Sequence, residues 1–165
     1  MIAWCITMGE SKGKTACFTG NRELSLFQIP FIKRKLKKTL EELIEKGYLY
    51  FGAGGAMGFD TLAAQSVLDL RKKHPQIKLI LVLPCKTQAD RWPEADKEEY
   101  ERIKNQADKV VYTSEEYTRD CMFKRNRHLV DYSSVCICYK NKDTGGTAYT
   151  VKYALAKGLQ VINLA

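Results

Sequence analysis

The sequence has little of what builds metal centres, nucleophilic active sites or disulfide frameworks. Its two histidines, His74 and His128, stand apart, each beside basic residues, and read as surface groups rather than catalysts. Six cysteines are present (Cys5, Cys17, Cys85, Cys121, Cys136 and Cys138), yet no two form a CxxC pair, which argues against a zinc site and predicts no metal. Four of them fall in or beside apolar strand-like runs, the pattern of buried, reduced thiols in a reducing cytosol. There is no HExxH sequence and no Gly-x-Ser-x-Gly elbow. No apolar run approaches the roughly 20 residues needed to span a bilayer, and residues 1–8 lack the basic flank of a signal peptide. The expectation is a soluble, cytoplasmic protein with no membrane partner.

A nucleotide-binding P-loop is also missing. Gly13-Lys14-Thr15 resembles its end, but Met8 stands where the first glycine belongs, and the strand that should precede the segment follows it instead.

What is present is a chain of 165 residues, of which 45% are hydrophobic, enough for one domain with a sizeable core. We expect residues 1–13 to be a poorly ordered extension and residues 14–165 to form one domain. Twenty-seven basic against nineteen acidic residues give a net charge of +8. This balance suits an anionic partner, whether nucleotide, nucleic acid or acidic protein, and a solvated basic surface would give the same count.

Short β-rich runs alternate with longer helical patterns. Strand-like runs cover residues 16–19, 48–51, 77–83, 110–112, 135–139 and 160–164. Helical patterns cover 27–45, 59–73, 95–106, 121–132 and 147–157. In the first helix Phe27, Phe31, Leu36, Leu40, Leu43 and Ile44 form the predicted apolar stripe, and Gly47 stops it. Alternation of this kind predicts an α/β fold: a Rossmann-like three-layer α/β/α sandwich with a mostly parallel sheet of about six strands. Right-handed crossovers then bring every strand-to-helix loop to one edge, where ligands of such folds bind.

Four of those loops are unusual. The first carries Thr19-Gly20-Asn21-Arg22, in which Gly20 lets the backbone turn and Arg22 offers a fork of donors to phosphate or carboxylate. The second carries Gly52-Ala53-Gly54-Gly55-Ala56-Met57-Gly58, followed by Phe59-Asp60. Bare amides at a helix start attract phosphate, although a tight turn would also use glycine. Met57 occupies the third-glycine position of the dinucleotide fingerprint, so that fingerprint is not met. Asp60 is read as a helix cap or as a partner for a ribose hydroxyl. The third loop carries Pro84, Cys85, Gln88, Arg91 and Trp92, the last either stacking on a base or covering the sheet edge. After the fifth strand come Asp143-Thr144-Gly145-Gly146-Thr147, whose threonine can both cap the helix and face an anion. Arg125 and Asn126, at the start of another helix, fall on the same edge.

Taken in order, these segments resemble the YpsA-like branch of the SLOG superfamily, which gathers DprA-type and LOG-type Rossmann-like domains. The resemblance rests on Cys17-Phe18-Thr19-Gly20-Asn21-Arg22, the glycine-rich run from Gly52 through Asp60, Arg125-Asn126 with Val130-Asp131, and Gly145-Gly146-Thr147-Ala148-Tyr149-Thr150. Pro84, Gln88 and Trp92 sit at similar spacings, and the likeness runs from about Lys14 to Ala165. It implies a nucleotide or nucleotide-derived ligand, ADP-ribose-like or NAD-like. Asn21 stands where that branch usually carries histidine. LOG-type enzymes cleave the N-glycosidic bond of nucleoside monophosphates with a glutamate in Pro-Gly-Gly-x-Gly-Thr-x-x-Glu. Here the matching stretch ends in Thr150-Val151-Lys152, one residue shorter and without that glutamate, leaving Asp60, Asp131 or Asp143 as substitutes.

The leading expectation is therefore a ligand-binding regulatory or sensor module. A nucleoside-monophosphate N-glycosidase is one alternative. Single-stranded DNA binding, as in DprA-type relatives, is another, and it requires Lys33-Arg34-Lys35-Leu36-Lys37-Lys38 and Arg125 to form one groove with aromatic platforms. The lysine run reads more simply as the solvated face of the first helix. Whether the chain is a homo-oligomer is left open.

Overall fold

A computed structural model of the protein describes residues 11–165. Of the 1–13 extension, residues 1–10 and Cys5 with them lie outside the described residues. Ser11 to Lys14 form a turn in which the Lys14 amide donates to the Ser11 carbonyl at 3.0 Å and leads into the first strand.

Strands and helices alternate throughout. They are β1 (Thr15–Gly20), α1 (Ile29–Glu45), β2 (Tyr50–Ala53), α2 (Phe59–Arg71), β3 (Lys78–Leu83), α3 (Glu94–Gln106), β4 (Lys109–Tyr112), α4 (Cys121–Asp131), β5 (Val135–Tyr139), α5 (Gly146–Ala156) and β6 (Gln160–Asn163). All six strands are parallel, in the order β4-β3-β2-β1-β5-β6. This is the Rossmann-like α/β arrangement expected from the alternation. The chain winds outward from β1 through β4, then returns to lay β5 on the other side of β1. That reversal makes the β1/β5 boundary the topological switch point, where the two following loops diverge and leave a crevice.

Side-chain alternation along the strands divides the core into two layers. Phe18, Phe51, Leu79, Leu81 and Ile137 face one side and pack with α1, α2 and α3. Cys17, Ile80, Val82, Cys136 and Cys138 face the other and pack with α4 and α5. The five described cysteines are free and buried. Burial raises the Cys138 thiol to a pKa of about 11, so it stays protonated and inert at neutral pH.

Two elements differ from the sequence expectation. In α1 the core stripe is Ile32, Leu36, Leu40, Leu43 and Ile44, whereas Phe27 is 88% exposed and Phe31 58% exposed. The helix begins two residues later than expected, and Ile32, four residues before Leu36, occupies the inward position that Phe31 was expected to share. The second strand runs two residues further along the chain, so Gly52 and Ala53 lie in the sheet rather than in a ligand loop. Gly52 pairs in register with Cys17 and Ile80, and a Cβ there would press within 2.9 Å of the Leu129 side chain. Its glycine is set by α4 packing on the strand.

Candidate functional site

A cleft of about 490 Å³ opens at the β1/β5 switch point. Its walls are the loop after β1, from Thr19 to Glu23, and the loop after β5 with the first turn of α5, including Asn141, Lys142 and Thr144 to Thr147. Ala56 and Asp60 at the start of α2 and Met122, Phe123, Arg125 and Asn126 of α4 complete the lining. The volume falls within the range of small-molecule sites. Nine of the residues singled out from sequence line it: Gly20, Asn21, Arg22, Asp60, Arg125, Asn126, Gly145, Gly146 and Thr147.

The two walls are tied together. Asn21 donates from its side-chain amide to the Asn141 side-chain Oδ1 at 2.7 Å, so the residue standing where the family branch usually has histidine bridges the loops. Gly58 shapes the β1 wall from behind. Its φ is 78°, and a Cβ there would collide with the Arg22 carbonyl and lie 2.5 Å from the Asn21 carbonyl oxygen. The Phe59 amide donates to that same Asn21 carbonyl at 3.0 Å. The start of α2 thus fixes the backbone that carries Arg22. At the opposite wall Gly145 has a φ of 97° and opens α5, and neither it nor Gly146 has any atom within 4 Å of the space a Cβ would take. The first-turn amides of a helix lack intrahelical acceptors, and here they border open space.

The lower part of the cleft is charged and buried. Arg125, expected on the ligand edge, is only 3% exposed. Its guanidinium donates to the Gly54 carbonyl, to Asn126 Oδ1 at 2.7 Å and to Gln88 Oε1 at 3.5 Å, and it touches the Met122 sulfur at 3.7 Å. Asp60 is 6% exposed and accepts the Ala56 amide at 3.2 Å. Gly58, not Asp60 or Thr147, is the N-cap of its helix, and Gly145 is that of α5. Neither expected side-chain cap forms.

Burial raises the Asp60 carboxyl above its ordinary value, while Arg125, the Ala56 and Gly54 amides and Arg22 pull it back down. Burial likewise lowers the Arg125 guanidinium, against the attraction of Asp60. A carboxyl raised by folding contributes stability below its ordinary pKa and loses it as the pH rises through the raised value. Asp60 therefore costs stability when it ionises. A buried, perturbed carboxyl lining a cleft marks a candidate functional position.

The remaining predicted residues lie off the cleft lining. Gly54 abuts the Arg125 guanidinium, which a Cβ there would meet at 2.6 Å, so a bulky residue would act by displacing Arg125 rather than by filling a phosphate position. Gly52 and Ala53 are in β2, Gly55 abuts the Leu83 side chain at the end of β3, and Met57 and Gly58 form the turn behind Arg22. Pro84 and Trp92 belong to the β3 loop, two strands away from the switch point, and Trp92 packs edge-on against Tyr100 with ring centroids 5.3 Å apart. Gln88 contributes only through Arg125 and the Gly54 carbonyl. Lining residues that sequence reasoning missed include Glu23, Met122, Phe123 and Asn141. Only Glu23, one residue beyond Arg22 in the same loop, carried a readable signal. Among the described residues no group of three His, Cys, Asp or Glu side chains could hold a metal, and no helix is long and apolar enough to cross a membrane.

Known proteins share this architecture. The DNA processing protein A of Streptococcus pneumoniae superposes with a TM-score of 0.64 over 92% of this chain and 50% of that one, at 19% identity. That of Helicobacter pylori, described for its single-stranded DNA binding mode, gives 0.63 over 94% and 66%, at 18% identity. This chain thus spans half to two thirds of those proteins, and the likeness is one of fold. By sequence it is 35% identical over 136 residues to the uncharacterized SPbeta prophage-derived protein YoqJ of Bacillus subtilis, covering 74% of this chain and 80% of that protein. It is 32% identical over 140 residues to a UPF0398 protein of Bacillus pumilus, covering 80% and 75%. The profile YpsA, described as the YspA SLOG family, matches residues 17–161, from the middle of β1 into β6 and across both cleft walls. The chain belongs to the YspA SLOG family.

Proposed function

We propose that the protein binds a small phosphate-bearing nucleotide or nucleotide-derived ligand, ADP-ribose-like or NAD-like, in the switch-point cleft, and acts as a sensor or regulatory module. The observation that carries this reading is the pairing, across one cleft, of the open first turn of α5 with the exposed Arg22. A helix N-terminus with free amides favours an anion, and a guanidinium fork complements phosphate in two parallel bonds. The +8 net charge favours the approach of such a ligand.

Single-stranded DNA is the second reading, favoured by one further observation. The solvent side of α1 carries Phe31 beside Arg34, whose guanidinium lies 4.8 Å from the Phe31 ring centroid, within a basic run from Lys33 to Lys38, and Phe27 is exposed just before the helix. Such surfaces suit stacked bases and a phosphate backbone. The groove first expected for it, joining that run to Arg125, does not form, because Arg125 is buried.

Salt dependence separates the two. A nucleotide neutralising one or two phosphates gives a shallow slope of log affinity against log salt, about −1 to −2, while a strand tracked along α1 gives a steeper one. Arg22→Lys should weaken nucleotide binding about tenfold, since lysine keeps the charge and loses the fork. Steeply salt-dependent oligonucleotide binding, with Arg22→Lys equal to wild type, would replace the nucleotide reading with the DNA one.

A further inference from the structure

The cleft is anion-attracting along its walls but not at Asp60. That carboxylate lines the cleft at 6% exposure, and the two backbone amides that face it, from Ala56 and Gly54, leave part of its capacity for about four hydrogen bonds unused. Among the described residues no cation forms a direct ion pair with it. In its ionised form this carboxylate can only accept, so it then repels a phosphate oxygen and needs a donor from whatever part of the ligand reaches it. The donor that a nucleotide carries one sugar ring away from its phosphate is a ribose hydroxyl.

We propose that Asp60 selects, among phosphate-bearing ligands, those that present ribose hydroxyls to the buried part of the cleft over those whose sugar lacks them. The inference rests on the reading of the cleft as a phosphate-ligand site and adds the substrate class. Arg125 acts as a positioning residue. Anchored on the Gly54 carbonyl, Gln88 and Asn126, it supplies the nearest favourable charge, which opposes the effect of burial on the Asp60 carboxyl without outweighing it. A ligand that is phosphate throughout, such as a polyphosphate, matches the walls and not the carboxylate.

The test compares adenosine 5′-monophosphate, 2′,3′-dideoxyadenosine 5′-monophosphate and inorganic pyrophosphate by calorimetry, on wild type and on the near-isosteric Asp60→Asn. Wild type should bind the ribonucleotide roughly tenfold to a hundredfold tighter than the dideoxy compound, the worth of hydrogen bonds to a charged group. In Asp60→Asn this ratio should collapse, while pyrophosphate should bind more tightly than it does to wild type because the repelling charge is gone. The two changes have opposite signs, which a general loss of structure would not produce. Equal binding of the two nucleotides by wild type would overturn the hydroxyl selection while leaving the phosphate site intact, and this arm stands even if the variant fails to fold. An unchanged ratio in a folded variant would also overturn it. If neither nucleotide nor pyrophosphate binds wild type, the phosphate-site reading fails and the selection with it.

Discussion

Replacing Arg125 with methionine should lower stability by about 3–5 kcal/mol, the scale of removing a buried charge that satisfies several buried acceptors and offsets a nearby buried carboxyl. For a chain of this size each kcal/mol shifts the melting temperature by about 2–4 °C, so thermal unfolding should move down by roughly 6–20 °C. Methionine fills much of the same volume, so the loss would come from polar groups rather than from a cavity. The Gly54 carbonyl, Gln88 and Asn126 all lose their shared donor, and Asp60 loses the strongest of the charges that offset its burial. Removing the carboxylate as well should recover part of the loss, because the uncompensated buried charge is then gone. A change below about 1 kcal/mol in the single variant would place Arg125 among ordinary surface substitutions and contradict its role beneath the cleft.

The second large effect is expected from one methyl group. Gly58→Ala forces a side chain into a backbone conformation at φ 78°, which costs about 1–3 kcal/mol by itself. It also drives the new Cβ into the Arg22 and Asn21 carbonyls, so the β1 wall must move. We expect nucleotide affinity to fall about tenfold to a hundredfold as Arg22 is displaced, the scale of a lost charge-assisted contact. Gly47→Ala, at the end of α1 and off the cleft, is the matched control: its φ is 94° but its surroundings are empty, so it carries the strain without the collision. Calorimetric titration of both variants, alongside their melts, separates strain from displacement. Equal affinity of Gly58→Ala and wild type would mean that Arg22 does not hold the ligand.

The contrast between these two glycines explains how much of the site was legible in the sequence. The element order, the parallel sheet and the β1 and β5 loops follow from periodicity, because each strand is a short apolar run and α1 and α5 end at the breakers Gly47 and Gly158. The cluster from Gly52 to Gly58 was equally visible, but its purpose was not. Periodicity says that backbone must come close there, without saying to what, and the structure answers with Leu129, Arg125, Leu83 and the Arg22 backbone. In sequence Arg125 lies in the basic stretch Lys124-Arg125-Asn126-Arg127, which by itself resembles a surface charge run. Its burial depends on the Gly54 carbonyl, seventy-one residues away in sequence, which no local pattern encodes. The β3 loop misled for a topological reason: β3 lies two strands from β1, so Pro84 and Trp92 share the sheet edge without reaching the switch point. Phe31 misled through phase alone, since Ile32 next to it supplies the same apolar signal on the inward face.

The central claim is that a phosphate-bearing nucleotide occupies the cleft between the β1 and β5 loops. Mapping backbone amide shifts by two-dimensional NMR during titration with ADP-ribose tests it most directly, because every proposed contact carries a reporter. The account predicts saturable shifts concentrated at Asn21 to Glu23 and Gly145 to Thr147, with smaller changes at Ala56 and Asp60 and an unaltered α1. Shifts gathered instead along Lys33 to Lys38, or none at the first turn of α5 at saturating ligand, would contradict it.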